Sequence, residues 1–570
     1  MSGLGLASRV DIAFSSLIMI FIILVGTSYA MEVQIADTKF ESIKIGSIKL
    51  SAMIVEPKAL KTNVIVIMIP GILEPKIAFK SIALELAKLG VTSIALDLLG
   101  HASCNVPLEI ELHEDYNKTM NSALSNLVKI YKDVFNYYKK RFSTFRFAIL
   151  GIGLGASVAI ILSAELQEFD ATIAISPDVI NDYIFSFLNE GTPKNFLVVL
   201  GSFESNKIPK AKVMMSYAGV KNIKPNKLYG DFYSGTARML GITELSTGFL
   251  QYFHGGTLSF VRSWIRDTFD IDVKTVIPED FRLYLLLTAL FSSLALISLI
   301  PAVVSKRIGI FSGGKRWPTI ESYKEGFKLS ILWGLATLVY VPLVLPMFIL
   351  FTRVIILPVF LTVIVSYDIV AILLAIYLIS KIKGTSFKET FIETISELVT
   401  DVKNIYLGLI VAIIEFLTLF IVLADIAISP ISLLYNPMLF IIAIVFFPLQ
   451  LMMNLAYEKF IRRHVQEAFG GVTARAVVIT VSVSFLARVL IILFFDLFLL
   501  FFAPNLGFVL LIFILLTFVQ ILIEAIAAIT YVYTREITPA AIANSIWIVF
   551  VVALSPIIVT KFVSLGIIQF

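Results

Sequence analysis

Six ionisable side chains interrupt the long apolar runs in the second half of this 570-residue chain: Asp368, Glu415, Asp425, Arg488, Asp496 and Glu524. An ionised group in hydrocarbon is costly unless it is paired, so each of these side chains needs a structural or functional reason. Four of them share a similar depth. At 1.5 Å per helical residue, Asp368, Glu415, Arg488 and Glu524 lie roughly 15–18 Å from the nearest basic end of their apolar runs.

Two interpretations of these four groups stay open. One is an ion or proton site of the kind that transporters build near the middle of the membrane. The other is structural, with ion pairs and hydrogen bonds that hold helices together. Arg488 and Glu524 are expected to pair, because a short link, Ala503-Pro504-Asn505, joins their apolar runs. The sequence shows no transporter signature and no internal repeat, which favours the structural interpretation.

A glycine-rich run, Gly151–Gly155 with the sequence GIGLG, follows the apolar stretch Phe147–Leu150. A dinucleotide-binding loop needs the spacing G-x-G-x-x-G, and position 156 is Ala, so no nucleotide cofactor is predicted. Cys104 is the only cysteine, which excludes an intramolecular disulfide. No His and Cys residues recur at metal-ligand spacing, so neither a metal nor another cofactor is predicted.

The composition indicates that much of the chain lies in a lipid bilayer. Apolar residues make up 58% of it and charged residues only 15%, with a mean hydropathy of +0.92. A soluble protein has about 25% charged residues. These values exclude a soluble multidomain enzyme, a disordered chain and a nucleic-acid partner. They predict a membrane protein, with the lipid bilayer as its first partner.

From residue 283 onward, apolar runs long enough to cross the bilayer recur. We predict about eight helical spans, in a membrane domain of residues 281–570: 283–305, 327–351, 354–380, 405–427, 437–457, 477–502, 507–533 and 541–565. Lysine and arginine concentrate in the loops at 306–326, 381–404, 458–476 and 535–540, whereas the alternate loops contain only Arg353. By the positive-inside rule the basic loops are cytoplasmic. Residues 31–280 and the C-terminus are therefore expected outside a multi-pass cell-membrane protein.

The first thirty residues favour the same orientation. Arg9 precedes the apolar run Ile12–Val25, and small residues at Ser28 and Ala30 are typical of a cleavage site. This pattern predicts a secretory signal peptide over residues 1–30, with an uncleaved signal anchor as the alternative. Because the following segment would be outside the cell, the sequon at Asn117 is a possible glycosylation site.

Residues 31–280 have the pattern of a separate water-exposed domain. Short runs rich in β-branched residues alternate with segments of helical period, and such runs are typical of parallel strands buried on both faces. Strict alternation of strand and helix predicts a doubly wound α/β sheet. The more polar segment Glu32–Pro57 alternates like an antiparallel hairpin at the edge of that sheet.

Several short motifs follow one another along this domain, each after a predicted strand or near the domain end: Pro70-Gly71-Ile72, Asp97-Leu98-Leu99-Gly100-His101, Gly151–Gly155, Gly201-Ser202-Phe203-Glu204 and His254. Their order resembles the α/β-hydrolase family over roughly residues 45–275. The resemblance implies a nucleophile elbow at Gly151–Gly155, with Glu204 as the acid and His254 as the base of a catalytic triad. It also implies oxyanion-hole amides from Ile72 and Leu154.

The sequence departs from the family at the positions that matter for catalysis. Gly153 stands where the elbow would carry its nucleophile, and a residue without a side chain cannot form an acyl-enzyme intermediate. Pro70 replaces the family's histidine before the oxyanion-hole glycine, and Ala102 follows Gly100-His101 where the family has a second glycine. The residual positions His254 and Glu204 are therefore expected in a domain that has lost its serine nucleophile.

Three functions remain at this point. We favour a cell-surface protein whose outer domain binds an extracellular ligand or a partner protein, or helps assembly, without serine-hydrolase catalysis. The first alternative is a membrane-anchored extracellular hydrolase of the esterase or peptidase kind. The second is a transporter whose outer domain captures substrate, which only the intramembrane charges support. A fold permits an activity only through its site, so the geometry around Gly153 decides among them.

Overall fold

The structure is a computed structural model that describes residues 3–71, 74–99, 104, 106, 108–112, 116–272, 282–308, 373, 376–377, 380–381, 384–396, 402–423, 437–469, 475–485, 521, 523–553 and 558–562. Several predicted features lie outside these residues: Ile72, His101, Asp368 and Arg488, together with the span 327–351 and most of 354–380 and 507–533. The expected pairing of Arg488 with Glu524 therefore stays a prediction.

An eight-stranded mixed sheet forms the centre of the first domain. Its strands are β1 (Ala36–Ile45), β2 (Ile48–Pro57), β3 (Val64–Ile69), β4 (Thr92–Leu96), β6 (Arg146–Ile152), β7 (Phe169–Ile175), β8 (Phe196–Gly201) and β9 (Arg238–Thr243). Their spatial order is β1-β2-β4-β3-β6-β7-β8-β9. β1 and β2 form the predicted antiparallel edge hairpin, β2 pairs antiparallel with β4, and every further pair is parallel.

Seven helices accompany this sheet along the chain: α1 (Gly3–Ile35), α2 (Lys80–Ala87), α3 (Tyr116–Arg141), α4 (Leu154–Leu166), α5 (Asp182–Phe185), α6 (Lys207–Tyr217) and α7 (Gly255–Phe269). Alternate residues of a strand point to opposite faces. In β3, Ile65 and Ile67 pack with α3 and α4, whereas Val66 and Met68 pack with α2 and α7. The sheet is therefore covered on both sides, as the continuous apolar runs predicted.

The second half is largely helical where it is described. Its helices are α8 (Arg282–Ile308), α9 (Phe387–Ser396), α10 (Val402–Leu423), α11 (Pro437–Tyr457), α12 (Arg463–Ala468), α13 (Arg475–Phe485), α14 (Ile523–Thr534) and α15 (Thr538–Ala553). A π-helical turn, Glu458–Arg462, joins α11 to α12. Within the described part, two stretches are long and apolar enough to cross a membrane, Asp11–Ile35 and Tyr284–Ser305.

The predicted last span, residues 541–565, is wrong as a single helix. Helix α15 ends at Ala553, and Ile558–Phe562 forms a strand, β10, parallel to β5 (Leu108–Leu112) of the first domain. Pro556 lies between the two and lacks the amide hydrogen that a continuing helix needs. The strand contains the β-branched residues Ile558, Val559 and Thr560, which suit an extended conformation.

Helix α1 continues past the predicted cleavage position after Ala30 and leads directly into β1. It packs along α8, where Phe21 lies buried with Ala289 and Leu296. One face of α1 is therefore matched to α8, while cleavage after Ala30 stays a prediction.

A buried ionic junction joins α1, α2 and α8. Glu32 Oε2 lies 2.6 Å from Lys80 Nζ and 3.6 Å from Arg282 Nη1, and each of these three side chains is less than one-tenth exposed. Thr38 donates a hydrogen bond of 2.9 Å to the other carboxylate oxygen. The junction attaches both long apolar helices to the first domain.

Candidate functional site

The turn between β6 and α4 has the geometry of a nucleophile elbow. Gly153 caps α4 with φ +57° and ψ −123°, a left-handed conformation that side-chain-bearing residues rarely adopt. Its neighbours are glycines for a different reason. A Cβ at Gly155 would lie 2.1 Å from the Ile69 carbonyl oxygen, and a Cβ at Gly151 would lie 2.1 Å from the Gly155 carbonyl oxygen. The helix therefore packs against the sheet at a distance that only glycine allows.

A carboxylate occupies the space into which a side chain at Gly153 would project. A Cβ built on Gly153 would lie 3.0 Å from Asp178 Oδ2 and 3.3 Å from Gly71 Cα. Asp178 belongs to the loop after β7, and the sequence motifs did not identify it as a site residue. Its position after a buried parallel strand could have indicated this role, because the carboxyl ends of such strands meet at one edge of the sheet.

Two contacts hold the Asp178 loop in place. The Asp178 amide donates to the Gly153 carbonyl oxygen over 3.1 Å. The buried Ser157 hydroxyl donates to the Val179 carbonyl oxygen and accepts from the Val179 amide, over 3.2 and 3.1 Å. Ser157 therefore anchors the loop beside the elbow and is not directed to a substrate.

Lys207, at the start of α6, bridges Asp178 and Glu204. Its Nζ lies 3.1 Å from Asp178 Oδ1, 3.1 Å from Glu204 Oε1 and 3.1 Å from the Ser176 carbonyl oxygen. Burial alone would lower the pKa of Lys207, but the carboxylates of Asp178 and Glu204 outweigh that effect and raise it above the ordinary value. The lysine is therefore a fixed cation between two acids.

Glu204 is fully buried and makes its hydrogen bonds within this network. Its Oε2 accepts from the Ser176 hydroxyl over 2.6 Å and from the Gly201 amide over 2.9 Å. Ser176 adopts φ 47°, an uncommon conformation for a residue with a side chain. The predicted acid position thus supports the loop after β7, together with Lys207.

His254 is the N-cap residue of α7, directly before its first residue, Gly255. Its Nδ1 accepts a hydrogen bond of 3.2 Å from the Gly256 amide, which caps the helix. A neutral imidazole that accepts at Nδ1 carries its proton on Nε2. A catalytic triad needs the opposite tautomer, with Nδ1–H donated to the acid. Glu204 and His254 share no hydrogen bond, so the structure does not assemble the expected residual triad.

The predicted oxyanion loop is also internally bonded. The Gly71 amide donates to Glu74 Oε2 over 2.8 Å, and the Tyr252 hydroxyl donates to the same oxygen over 2.7 Å. Burial raises the pKa of Glu74 to about 7, and the nearby Asp178 adds to this effect against the hydrogen bond from Tyr252. Burial and then the Glu74 carboxylate raise the pKa of Tyr252 well above its ordinary value. Leu154 begins α4 as expected, whereas Ile72 lies outside the described residues.

The remaining candidates are peripheral. Asn117 is exposed at the start of α3, where its side-chain oxygen accepts from Asn181 Nδ2 over 3.3 Å, and its glycosylation stays a prediction. Cys104 is buried, and its thiol donates to the Val106 carbonyl oxygen. Within the part of the chain that the structure describes, no three acidic, His or Cys side chains form a group that could hold a metal ion.

Strand order and elbow geometry together define the class of this domain. The antiparallel strands at one edge, the crossover between β3 and β4, the run of parallel strands and the tight turn at Gly153 are those of the α/β-hydrolase fold. By this strand order and elbow, the first domain has the α/β-hydrolase fold, as the resemblance in the sequence predicted.

Solved structures of that fold are similar to this chain. A dienelactone hydrolase from Anabaena variabilis shares 14% identity, with 41% of this chain and 97% of that chain covered and a TM-score of 0.31. A predicted CIB-like hydrolase from Thermoplasma acidophilum shares 17%, with 40% and 99% covered and a TM-score of 0.30. An esterase from Pyrococcus furiosus shares 14%, with 40% and 92% covered and a TM-score of 0.30. The likeness concerns the fold alone.

No family model matches the sequence, and no curated protein matches it either.

Proposed function

We propose that this chain is a multi-pass membrane protein whose outer α/β-hydrolase-fold domain acts as a binding or assembly module without serine-hydrolase catalysis. One observation carries the proposal. The carboxylate of Asp178, held by Lys207, fills the space above Gly153 where a serine hydrolase presents its nucleophile. A substrate carbonyl placed there would meet a carboxylate fixed by an ion pair instead of an activated hydroxyl group.

A further requirement of acyl transfer is unmet at this site. The base position, His254, uses Nδ1 to cap α7, so as a neutral imidazole it carries its proton on Nε2 and cannot accept one there from a nucleophile. Together with the carboxylate above Gly153, this feature supports the binding-module proposal over the hydrolase alternative.

The proposed membrane location rests on composition. The proposed orientation rests on the contacts that α1, α8 and β10 make with the first domain. Helices α1 and α8 are long and apolar, and the ionic junction at Glu32 attaches them to the outer domain. Strand β10 pairs with β5 of the outer domain, which supports a C-terminus on the same side of the membrane as that domain. In the proposed topology residues 31–280 are extracellular and α1 stays attached as a signal anchor.

A fluorophosphonate probe tests the catalytic half of this proposal. We expect no labelling of the full-length protein in membranes. Replacing Gly153 by Ser should also give no labelling, because the new hydroxyl would lie against Asp178 with no base in the required tautomer. Labelling of Gly153→Ser that disappears in Gly153→Ser/His254→Ala would contradict the geometry and restore a competent triad.

Two controls make this experiment decisive. The thermal unfolding temperature of each variant shows whether it is folded, since φ +57° strains any residue with a side chain. Ser157→Ala removes the serine closest in sequence to the elbow. If the unmodified protein were labelled, and the label were lost in this or another serine variant, the domain would be an active hydrolase.

A further inference from the structure

Glu415 is a buried carboxyl group in the proposed membrane domain, apart from the site around Gly153. Glu415 lies near the middle of α10 and is only 3% exposed. Its Oε1 atom has no hydrogen-bond partner among the described residues. Among the described residues, this side chain has no ion pair. The inference drawn below rests on the proposed membrane domain and goes beyond the proposed binding function.

The helix face that carries Glu415 is apolar. Val411 and Ala412, one turn earlier on α10, pack in a buried cluster with Ile297 and Ile300 of α8. Ala543 of α15 and Ile526 of α14 belong to the same cluster. Residues three and four positions apart share a helix face, so Glu415 continues this contact surface. Its carboxyl group is therefore enclosed by helices and does not face water.

The directions of the helices identify a neighbouring polar group. Gly408 lies against Pro539 and Ile542, so α10 and α15 start together. Helix α15 leads to β10 beside the outer domain, whereas α8 starts at that domain, so α8 runs antiparallel to α10. Because Val411 and Ile297 belong to one buried cluster, Glu415 lies near the level of Ser292 and Ser293, four to five residues before Ile297 on α8. The buried Ser292 hydroxyl lacks a hydrogen-bond partner among the described residues, whereas the Ser293 hydroxyl donates to the Leu290 carbonyl oxygen.

No described cation lies at this level. On α8 the basic residues are Arg282 and, at the opposite end, Lys306 and Arg307, and Arg282 is about 15 Å along the helix from Ser292. Lys403 of α10 is about 18 Å along the helix from Glu415. Helix α15 carries no charged residue, and the charged residue of α14 is the acid Glu524. Helix α1 carries Asp11, Glu32 and, near its start, Arg9, which is about 18 Å along the helix from Phe21, the residue that packs with Ala289 and Leu296 of α8. The described helices around Glu415 therefore provide no cation at its level.

We propose that Glu415 is a proton-binding site inside the membrane domain, which takes up and releases a proton reversibly. An unpaired carboxylate in an apolar interior is far less favourable than the neutral acid, so the group binds a proton in its enclosed state. A metal ion would need several oxygen or nitrogen ligands. The described residues contain no such group.

Dicyclohexylcarbodiimide, an apolar reagent for protonated carboxyl groups, tests this proposal. The acid transfers its proton to one carbodiimide nitrogen while its oxygen adds to the central carbon. The acyl group then migrates to the second nitrogen to give a stable N-acylurea, with no atom lost. The full-length protein in liposomes is treated at pH 6 and at pH 9, and the modified peptides are identified by mass spectrometry.

We expect modification at Glu415 that is several-fold greater at pH 6 than at pH 9 and absent in Glu415→Gln. Glu393 serves as the internal control, because it is exposed and lies 3.5 Å from Lys459 Nζ, and it should stay unmodified. Absent modification at Glu415, or equal modification at both pH values, would overturn the proposal.

Infrared spectroscopy gives a second measurement that needs no reagent access. A protonated-carboxyl band that titrates in the unmodified protein should be missing from Glu415→Gln, and an identical spectrum in the two proteins would overturn the proposal. Resistance to alkaline carbonate extraction is measured on the same liposomes. Extraction of the protein would contradict the proposed membrane domain itself. Failure of that proposal is therefore distinguishable from failure of the proton-site proposal.

Discussion

A carboxylate stands where the elbow of a serine hydrolase would present its hydroxyl group, and this substitution comes from a neighbouring loop. Asp178 reaches the space above Gly153 from the end of β7, while Lys207 binds it from α6. Glycine at the elbow is thus accompanied by an ion pair between the neighbouring loop and α6. In the proposed binding module, this ion pair holds the Asp178 carboxylate in place above Gly153.

Glu74 gives this site a pH dependence that can be measured. Its pKa is raised from 4.5 to about 7, chiefly by burial, so between these values the folded state binds a proton that the unfolded state has lost. The stability of the fold therefore falls as pH rises from about 4.5 to 7. In Glu74→Gln this slope should flatten, and the variant should be more stable than the unmodified protein at pH 8, by roughly 1–2 kcal/mol at this partly exposed position.

Thermal unfolding of the full-length protein in detergent, followed from pH 4.5 to pH 8, checks this expectation. The glutamine can still accept from the Gly71 amide and the Tyr252 hydroxyl, so the local geometry is retained. The exposed Glu244→Gln is the matched control and should leave the slope unchanged. An unaltered slope in Glu74→Gln would show that the carboxyl group is ionised in the folded protein across this range.

At the scale of elements, the long apolar helices α1 and α8 meet the first domain through one carboxylate. Glu32 lies at the end of α1, and its partners Lys80 and Arg282 begin α2 and α8. A buried ion pair contributes little over a well-packed apolar replacement, whereas removal of one partner leaves charge buried without its counter-ion. The junction therefore fixes how these three helices meet.

Glu32→Gln should destabilise the protein by about 3–5 kcal/mol, because Lys80 and Arg282 lose the carboxylate they share. Lys80→Met should cost less, since Glu32 still faces Arg282. The double variant Glu32→Gln/Lys80→Met should be less destabilised than the sum of its single changes, by more than about 0.5 kcal/mol.

Chemical unfolding in detergent measures all of these variants. The exposed pair of Lys39 and Glu56, with 2.9 Å between Nζ and Oε2, is the control, and Lys39→Ala should produce no measurable change. If the loss of unfolding free energy in the double variant equals the sum of the losses in the two single variants, Glu32 and Lys80 do not act as a unit.

At the scale of the whole molecule, the α/β-hydrolase-fold domain is connected at both of its ends to long apolar helices. Helix α1 precedes the first strand and α8 follows α7, and both attach at Glu32. Strand β10 follows α15 along the chain and pairs with β5. In the proposed topology, these connections would hold the first domain close to the bilayer surface.

Cysteine labelling of intact cells tests the proposed topology. In a Cys104→Ser background, Lys44→Cys on the exposed side of β1 should react with an impermeant maleimide. Lys383→Cys, in the predicted cytoplasmic loop 381–404, should react only after the cells are permeabilised. Reaction of Lys383→Cys in intact cells would reverse the proposed orientation. A tag fused before α1 should stay with the full-length protein if the helix is a retained anchor.

The sequence by itself determined the elements that depend on local pattern. Continuous β-branched runs predicted β3, β6 and β8, because strands buried on both faces must be apolar throughout. The resemblance to the α/β-hydrolase family predicted the elbow at Gly151–Gly155, where glycine permits the close approach at Gly155 and the left-handed φ at Gly153. Periodicity and steric requirements are encoded within a few residues, so they can be read without the fold.

The tertiary structure decided which distant side chains share the site and which do not. Asp178 reaches Gly153, and His254 turns Nδ1 to its own helix, because loop paths and helix starts set these positions and sequence order does not. The last predicted span ended at Ala553 for the same kind of reason, since an apolar run suits a helix in lipid or a strand beside β5 equally well. Hydropathy indicates whether a segment prefers lipid or water. Which element that segment packs against depends on contacts with residues distant in the sequence.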